Sequence, residues 1–441
     1  MSNTTTRRVF LGAATAAAAT RVWGANDRIN VAIVGIGGRG TNHLNIYLKM
    51  PEARVAGLCD VNQAAREVAQ GTLVKNTGEK AKEFIDMREA FADPGIDAVS
   101  IATPNHWHAL ATVWAVRAGK DVYCEKPACY NIHEGQAMVS AQRETKKMIQ
   151  IGSQHRSMPF KIKGIQALHD GIIGDVYMAK GLCFKPRPSI GHKEDSAIPA
   201  GVNWDLFLGP APMRPFNELR FKYNWHWFWD TGNGDIGNQG VHEIGICRWA
   251  LGDPLWPKSA FAMGNKYGPS DDQETPNTLL ATYDYGGREI VFEVRGLHTN
   301  GEGVPPSPPR GTTPKRPDAP INDTVGNLFY GTEGWMSMND GGYQIYKGNS
   351  SELIGEERAV RGEDPTRLHM ENFLAAVRSR NLADLHDPIT NAYPSAGLCH
   401  LANISYRTGH KLTLEAGPKF TNDPAANAML TRLVYRKPYV V

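Results

Sequence analysis

The sequence predicts an α/β chain of two domains, in which a doubly wound parallel sheet precedes an α+β domain built on a largely antiparallel open sheet. Between Arg28 and Gly152, short apolar runs alternate with helical segments, as in parallel βαβ units. After Gly152 the predicted strands are longer and are joined by glycine-rich hairpin signals. The chain has 441 residues, whereas a single hydrophobic core usually stops growing near ~250–300 residues.

Five parallel strands are predicted in the first domain, for which we expect the bounds 26–152. Their apolar runs are nearly continuous, which is typical of strands that are buried on both faces. The predicted strands are 29–34, 54–59, 98–102, 121–124 and 148–151.

The second domain is expected to span residues 153–441. A strand is predicted at 176–184, and two further strands at 277–285 and 289–297 form a hairpin that turns at Gly286-Gly287. Residues 303–320 contain seven prolines and no apolar periodicity, which predicts an extended loop. Helices are predicted at 365–380 and 394–407, and we expect them to pack back against one of the two sheets.

The composition favours a small-molecule ligand over a nucleic acid. The chain carries 48 Lys and Arg against 45 Asp and Glu, and these charges are scattered without a one-sided basic face. The cysteines are far apart and match no zinc or iron–sulfur spacing, so we expect buried free thiols and no metal site. They are Cys59, Cys124, Cys129, Cys183, Cys247 and Cys399.

Residues 1–25 resemble a twin-arginine export signal. Arg7-Arg8 precede apolar residues and a short alanine-rich stretch, which is far shorter than the ~20 apolar residues that span a bilayer. We therefore expect export, to the periplasm or elsewhere outside the cytoplasm, without stable membrane insertion. Cleavage is expected after Ala19 or Ala25.

A nucleotide-binding turn follows the first predicted strand. Gly35, Gly37 and Gly40 fit the pattern G-x-G-x-x-G, and Gly38-Arg39 lie within it at the start of a helix. Glycine allows the sharp turn and the close approach of a pyrophosphate, which the helix N-terminus then binds. A Rossmann-type dinucleotide site is thus predicted, and a glycine-rich turn without a ligand is the alternative.

Two other strand ends are expected to complete that site. Asp60 lies about 20 residues after the last glycine, where a carboxylate binds the ribose hydroxyls and repels a 2′-phosphate, so NAD is favoured over NADP. Thr103, Asn105 and His108 follow a third strand and should border the nicotinamide. Alternatively, Asn105 caps the next helix and His108 is merely packed.

Glu125-Lys126-Pro127 follows a further strand end. With the glycine turn, Asp60 and the Thr-Pro-Asn segment, it makes the mature chain resemble the Gfo/Idh/MocA oxidoreductase family. The resemblance implies that Glu125 contacts the cofactor and that Lys126 lies beside the nicotinamide and the reacting substrate carbon. There Lys126 would be catalytic, because its charge stabilises developing negative charge on oxygen. A solvated surface lysine is the alternative.

The second family landmark is a glycine run followed by an acid and, four residues later, a histidine. His242 occupies the histidine position and is implied as the general base, but Asn238 replaces the aspartate. On an α-helix both would face one sugar, and Asp235 or Glu243 is a candidate to compensate for the lost carboxylate. The alternative for His242 is a structural role.

Two further segments are candidate substrate contacts. Residues 225–230 are dense in aromatic and polar groups, which suit sugar rings, and Asp230 is the predicted hydroxyl ligand there. Arg156 is predicted near the cleft. Core packing is the alternative for at least half of the aromatic residues.

The resemblance implies an NAD(P)-dependent oxidoreductase that acts on a sugar or sugar derivative and, in this family, commonly a homo-oligomer. Little free NAD exists outside the cytoplasm, so an exported enzyme is expected to hold its cofactor tightly. Redox-assisted cleavage of a glycoside, in which NAD is restored in each turnover, is the first alternative. A nucleotide-retaining binding protein without catalysis is the second.

Overall fold

The computed structural model describes residues 27–297, 325–349, 352–415, 417–421 and 423–441. The predicted signal segment at 1–25 and the predicted proline-rich loop at 303–320 lie outside these described residues.

The first domain is a six-stranded parallel sheet with helices on both faces, which confirms the predicted doubly wound fold. Its strand order is β3-β2-β1-β4-β5-β6. The strands are β1 (Ile29–Val34), β2 (Ala53–Cys59), β3 (Lys82–Phe84), β4 (Ala98–Ile101), β5 (Asp121–Cys124) and β6 (Ile149–Ile151). The helices are α1 (Gly38–Tyr47), α2 (Gln63–Thr77), α3 (Met87–Ala92), α4 (Asn105–Arg117) and α5 (Ile132–Thr145).

This strand order places the predicted nucleotide residues at one edge. The order reverses between β1 and β4, and ligands of such sheets bind outside the carboxyl ends of the strands at that reversal. The glycine turn follows β1, Asp60 follows β2, Thr103 follows β4 and Glu125 follows β5. Strand β3 is not predicted from the sequence, because its three residues contain no apolar run.

The second domain is built on a nine-stranded mixed sheet with the order β14-β13-β12-β11-β7-β10-β9-β8-β15. Its strands are β7 (Val176–Phe184), β8 (Ser259–Asn265), β9 (Thr278–Asp284), β10 (Glu289–Arg295), β11 (Val325–Gly331), β12 (Gly334–Asn339), β13 (Gly342–Lys347), β14 (Leu353–Arg358) and β15 (Leu412–Thr413). Neighbouring strands are antiparallel apart from the parallel pair β7 and β10. The largely antiparallel sheet is therefore confirmed, and the predicted hairpin is β9 with β10.

Helices cover the sheet and connect the two domains. They are α6 (Pro159–His169), α7 (Trp204–Leu208), α8 (Val241–Ala250), α9 (Pro365–Ser379), α10 (Ile389–Thr408) and α11 (Pro424–Ala428). Helix α9 returns to the first domain, where Phe373 and Leu374 join the core that contains Tyr123. The predicted start of α10 at Pro394 is wrong, because Pro388 is its N-cap and Pro394 lies within the helix.

The six cysteines are buried and free, as predicted. In the part of the chain that the structure describes, no group of three or more His, Cys, Asp or Glu side chains is arranged to hold a metal ion. No described helix is both long and apolar enough to cross a membrane.

Candidate active site

A cleft of about 730 Å³ lies between the carboxyl edge of the parallel sheet and segments of the second domain. This volume falls within the ~300–1,000 Å³ that small-molecule sites usually occupy. The strand ends of the first domain form one half of its lining, and residues 206–207, 221–223, 225–226 and Asn238 form the other.

The glycine turn leaves open space where a pyrophosphate belongs. Gly35 has a φ of +84°, and a Cβ there would lie 2.8 Å from the Thr103 nitrogen. A Cβ on Gly40 would lie 1.8 Å from the Gly35 carbonyl oxygen, so these two glycines are required by the fold. A Cβ on Gly37 or Gly38 would meet no atom within 4 Å. The turn therefore forms an open cradle at the N-terminus of α1, where backbone N–H groups attract anions.

Asp60 is fixed at the other end of the cradle. Its carboxylate accepts hydrogen bonds from the backbone N–H groups of Ile36, at 2.5 Å, and Asn62, at 2.8 Å. Burial raises the pKa of Asp60, while the two N–H donors oppose that shift. The carboxylate lines the cleft in the position predicted for the ribose hydroxyls.

Glu125 holds Arg39 against the glycine turn. Its Oε1 atom lies 2.6 Å from Arg39 Nε and 3.0 Å from His43 Nε2. Burial alone would raise the pKa of Glu125, but the Arg39 and His43 contacts hold it well below its usual range. Both Glu125 and Arg39 line the cleft, and the buried, ionised Glu125 carboxylate holds the Arg39 and His43 side chains in place.

Thr103, Asn105 and His108 all line the same half of the cleft. The Thr103 hydroxyl is buried and has no partner among the described residues, so it is available to a ligand. Asn105 donates to the Asn233 side chain at 3.0 Å, and the alternative that Asn105 caps α4 is wrong, because Pro104 is the N-cap. His108 lies between the carbonyl oxygens of Pro127 and Thr103, so it also braces two loops.

These residues fit a dinucleotide. The open cradle accommodates a pyrophosphate, Asp60 accepts from ribose hydroxyls, and the unpartnered Thr103 hydroxyl offers a polar contact near the nicotinamide end.

Lys126 joins the two halves of the cleft. Its Nζ atom donates to the Asn238 backbone oxygen at 2.6 Å and to Asn238 Oδ1 at 3.3 Å. Burial lowers the pKa of Lys126. Asn238 in turn donates through Nδ2 to the Tyr223 hydroxyl at 3.1 Å. Lys126 therefore lies in the cleft against an amide rather than a carboxylate.

Asn238 and His242, which are predicted to face one sugar, border different cavities in the structure. Residues Ile236–Gly240 form a π-helical turn that leads directly into α8 at Val241. Asn238 lines the main cleft, whereas His242 borders a separate cavity of about 10 Å³. The His242 ring lies against that of His155, with ring centroids 4.7 Å apart and ring planes tilted by 36°. The Nδ1 atom of His242 is buried without a partner among the described residues.

The two candidate compensating acids are also outside the cleft lining. Asp235 is paired with Arg187, with oxygen–nitrogen distances of 2.6 and 2.9 Å. Glu243 accepts a hydrogen bond from Gln239 at 3.2 Å, and burial raises its pKa to about 8.

Arg156 and Asp230 occupy structural positions, contrary to their predicted substrate contacts. The buried Arg156 guanidinium contacts Asp253 at 2.6 and 3.0 Å and Asp387 at 3.4 Å. Asp230 is paired with Arg214. Neither residue lines the main cleft, and each is held by ion partners within the second domain.

The aromatic segment at 225–230 divides between the cleft and the core. Trp225 and His226 line the cleft, whereas Trp227 and Phe228 are buried. Tyr223 lines the cleft just before this segment and has no prediction. The aromatic run that begins at Phe221 was the only sequence signal that could have indicated it.

Family models match both domains. One, described as an oxidoreductase family with an NAD-binding Rossmann fold, matches residues 29–153. The other, described as the C-terminal alpha/beta domain of an oxidoreductase family, matches residues 186–293.

The curated relatives are similar over part of the chain. A glycosyl hydrolase family 109 protein of Saccharopolyspora erythraea is 29% identical over 259 residues, or 53% of each chain. The levoglucosan dehydrogenase of Pseudarthrobacter phenanthrenivorans is 29% identical over 61% of this chain and 72% of its own. The uncharacterised oxidoreductase YrbE of Bacillus subtilis is 30% identical over the same shares, 61% and 72%.

Solved structures share the fold. The WlbA dehydrogenase from Bordetella pertussis, in complex with NADH and UDP-GlcNAcA, superposes with a TM-score of 0.62 at 19% identity, covering 88% of this chain and 99% of its own. A levoglucosan dehydrogenase in complex with NADH and levoglucosan gives 0.64 at 17% identity and the same coverage. The predicted cofactor and family are thus confirmed: this chain belongs to the Gfo/Idh/MocA family of NAD-dependent oxidoreductases.

Proposed function

We propose that this chain oxidises a hydroxyl group of a sugar or sugar derivative while it holds NAD in the cleft. The observation that carries the proposal is the position of Lys126, which follows β5 in the nucleotide half and contacts Asn238 in the other half. Bound NAD supplies the hydride acceptor. The Lys126 ammonium donates a hydrogen bond to the reacting oxygen and stabilises its negative charge as the hydride leaves.

The lining of the second half suits a polyhydroxylated substrate. Trp225 and Tyr223 provide aromatic surface, and Lys222, Asn238 and His226 provide polar groups around it. Sugar rings present apolar C–H faces and hydroxyl edges, which match these two kinds of group. Relatives named levoglucosan dehydrogenase and inositol 2-dehydrogenase support a sugar or polyol substrate.

Tight retention of NAD is part of the proposal. The loop after β2, which lines the adenosine end of the cleft, hydrogen-bonds to the second domain on both sides. The Gln63 N–H donates to the Gly201 oxygen and the Asn203 N–H donates to the Val61 oxygen, both at 2.9 Å. An aromatic cluster that includes Trp204 and Phe207 packs against Val61. We call residues 201–203 the clasp, because nucleotide exchange at this end requires these contacts to open.

We also propose that the chain is exported and forms a homo-oligomer. Export is supported by the paired Arg7-Arg8 and the alanine-rich stretch that follows them. Fractionation of cells that express the full chain, compared with a variant in which both arginines are lysines, tests this. Retention of the variant in the cytoplasm supports export, and equal distribution contradicts it.

Redox-assisted glycoside cleavage is the second candidate function. It is supported by the relative named glycosyl hydrolase family 109 protein, which is 29% identical over 53% of this chain. Both candidates use the same nucleotide site and Lys126, so the products must distinguish them.

The deciding experiment incubates the purified full chain, loaded with NAD, with a panel of sugars, polyols and glycosides. Reduced nicotinamide is followed by its absorbance, and the products are analysed by mass spectrometry. Formation of a keto-sugar with reduced nucleotide establishes the oxidoreductase. Release of an aglycone without net reduction establishes glycoside cleavage, and an inert, nucleotide-loaded protein contradicts both.

A further inference from the structure

The last residues of the chain, 432–441, pack against both domains although they form no helix or strand. We call them the C-terminal strap. Its side chains differ widely in exposure: Leu433 is 89% exposed and Val440 is 52% exposed, whereas Tyr439 is only 4% exposed. The end of a chain is usually poorly ordered unless contacts tie it down. The strap is therefore held by its buried side chains.

Tyr439 packs against Trp107, a residue that lines the nucleotide half of the cleft. The two rings meet edge to face, with centroids 5.4 Å apart and ring planes at 81°, an arrangement that aromatic pairs prefer. Trp107 Nε1 donates to the backbone oxygens of Leu206 and Phe207, at 3.0 and 3.1 Å. Both of these α7 residues also line the cleft. Tyr439 therefore supports a wall of the cleft through Trp107.

Arg436 holds the C-terminal end of α7. A helix of only five residues leaves its last carbonyl groups without intrahelical partners and is unstable by itself. Arg436 donates to the backbone oxygens of Asp205, at 2.6 Å, and Gly209, at 2.8 Å, and it also pairs with the Asp205 carboxylate. A cation is favourable there because the C-terminal end of a helix carries negative partial charge.

Helix α7 connects the strap with the clasp. The clasp immediately precedes α7, and its residue Asn203 is the N-cap of the helix and donates its backbone N–H to Val61. Leu206 and Phe207 lie between this attachment and the one made by the strap. The part of the cleft wall that α7 forms is thus held at one end by the loop after β2 and at the other end by the chain terminus.

A second set of contacts fixes the strap itself. The Tyr435 hydroxyl donates to Glu134 of α5 at 3.0 Å, and Arg432 donates to the Asp230 backbone oxygen, also at 3.0 Å. The Arg432 guanidinium stacks on Tyr130, 3.7 Å from the centre of its ring. The strap therefore joins α5 of the first domain to the turn at Asp230 in the second.

We propose that Arg436 and Tyr439 are positioning residues for the cofactor, which hold α7 and Trp107 against the cleft and so slow the release of NAD. This inference rests on the tight retention of NAD in the proposed function. The two residues act through α7 and Trp107 rather than by contact with the nucleotide. They therefore set the rate of nucleotide release and leave the rate of hydride transfer to the residues of the cleft.

The test is the rate at which the full chain, loaded with NADH, releases it into an excess of NAD, followed by nicotinamide fluorescence. Arg436→Ala and Tyr439→Ala should each release NADH about tenfold faster or more, because they remove charge-assisted hydrogen bonds and an aromatic pair, respectively. Tyr439→Phe keeps the ring on Trp107 and should stay close to the wild type. Hydride transfer in a single turnover should be unchanged in all three variants.

Two controls separate nucleotide retention from general loss of stability. Leu433→Ala changes an exposed side chain of the strap. Arg380→Ala removes an ion pair of 2.6 Å with Asp121, which begins β5 and so lies at the edge of the sheet opposite the cleft. Both controls should release NADH at the wild-type rate. If R380A releases it as fast as R436A, release follows overall stability and the proposal is overturned.

A measurement on the wild type alone decides the matter if the alanine variants do not fold. Coupling between two sites is reciprocal, so if the strap stabilises bound NAD, NAD must stabilise the strap. We expect hydrogen–deuterium exchange in peptides from 432–441 to slow when NAD is added. Exchange that NAD leaves unchanged, or wild-type release rates in R436A and Y439A, overturns the proposal while the proposed function stands. A wild type that binds no NAD contradicts the proposed function itself.

Discussion

The two halves of the cleft are assembled in different ways. In the nucleotide half, most lining residues lie at or just beyond the carboxyl end of a strand of one parallel sheet, so their positions are set by those strands. In the substrate half, Lys126 contacts Asn238, which is 112 residues away in the sequence, and Tyr223 lies between two short 3-10 turns. The structure of the nucleotide half is therefore predictable from local sequence patterns. The structure of the substrate half depends on contacts between residues that are distant in the sequence and that hold an irregular backbone.

The largest effect should come from the scaffold under the substrate half. Replacing Arg156 with alanine leaves the buried carboxylate of Asp387 without its cation, while the partly exposed Asp253 keeps only Arg248, at 3.4 Å. Loss of one partner of a buried ion pair costs about 3–5 kcal/mol of unfolding free energy. Denaturant unfolding measures this change.

The control for that variant is Arg117→Ala, because Arg117 and Glu144 form an exposed pair. An exposed pair contributes about 0–1 kcal/mol. If R156A is as stable as R117A but loses substrate affinity, Arg156 contacts substrate after all and the contrast between the two halves weakens.

The next effect concerns the residue that joins the halves. Lys126→Ala should reduce the rate of hydride transfer by about 10²–10³-fold, the usual loss when one donor to a developing oxyanion is removed. Bound NAD, measured after denaturation, should remain because the glycine turn and Asp60 are untouched. Unchanged turnover would place Lys126 outside the chemistry.

Within the nucleotide half, substitutions of different glycines should affect different properties, either the stability of the protein or the binding of NAD. Gly40→Ala places a Cβ 1.8 Å from the Gly35 oxygen, and overpacking of this kind costs about 1–3 kcal/mol of stability. Gly38→Ala meets no protein atom, so it should keep the melting temperature and lose bound NAD. Thermal unfolding and nucleotide content distinguish the two outcomes, and equal loss of stability in both variants contradicts the open cradle.

Asp60→Asn should have a smaller effect on the same half. The amide oxygen can still accept one backbone N–H, but the charged acceptor for the ribose hydroxyls is gone. We expect about a tenfold loss of NAD affinity, equivalent to about 1.4 kcal/mol, and a smaller loss for NADP. Titration of nucleotide-free protein with each nucleotide measures the ratio, and an unchanged preference contradicts the role of Asp60.

The smallest effect is a shift in the pH profile. Lys126 must be protonated to carry the positive charge that stabilises the reacting oxygen, and this charged form persists only below its pKa, which burial lowers. Hydride transfer should therefore decline as the pH rises through a value below the ~10.4 of a free lysine. In Lys126→Arg the decline should disappear from the accessible range, and an unaltered profile in that variant would assign it to another group.

The differences between prediction and structure follow the same division. The strands of the parallel sheet and the glycine turn were predictable because apolar runs and close backbone approach are local requirements. The π-helical turn that carries Asn238 was not predictable, because residue spacing contains no signal for it. Arg156 and Asp230 failed because ion partners elsewhere in the chain hold them away from the cleft.

The clasp at residues 201–203 has a consequence for the order in which substrates can react with the protein. If NAD is retained beneath it as proposed, the protein molecule itself is either oxidised or reduced between substrate encounters. Each encounter would then depend on the previous one: an oxidised molecule accepts only an electron donor, and a reduced molecule accepts only an electron acceptor. Two compounds that never meet would thereby be coupled through one protein, which passes a hydride from the first to the second.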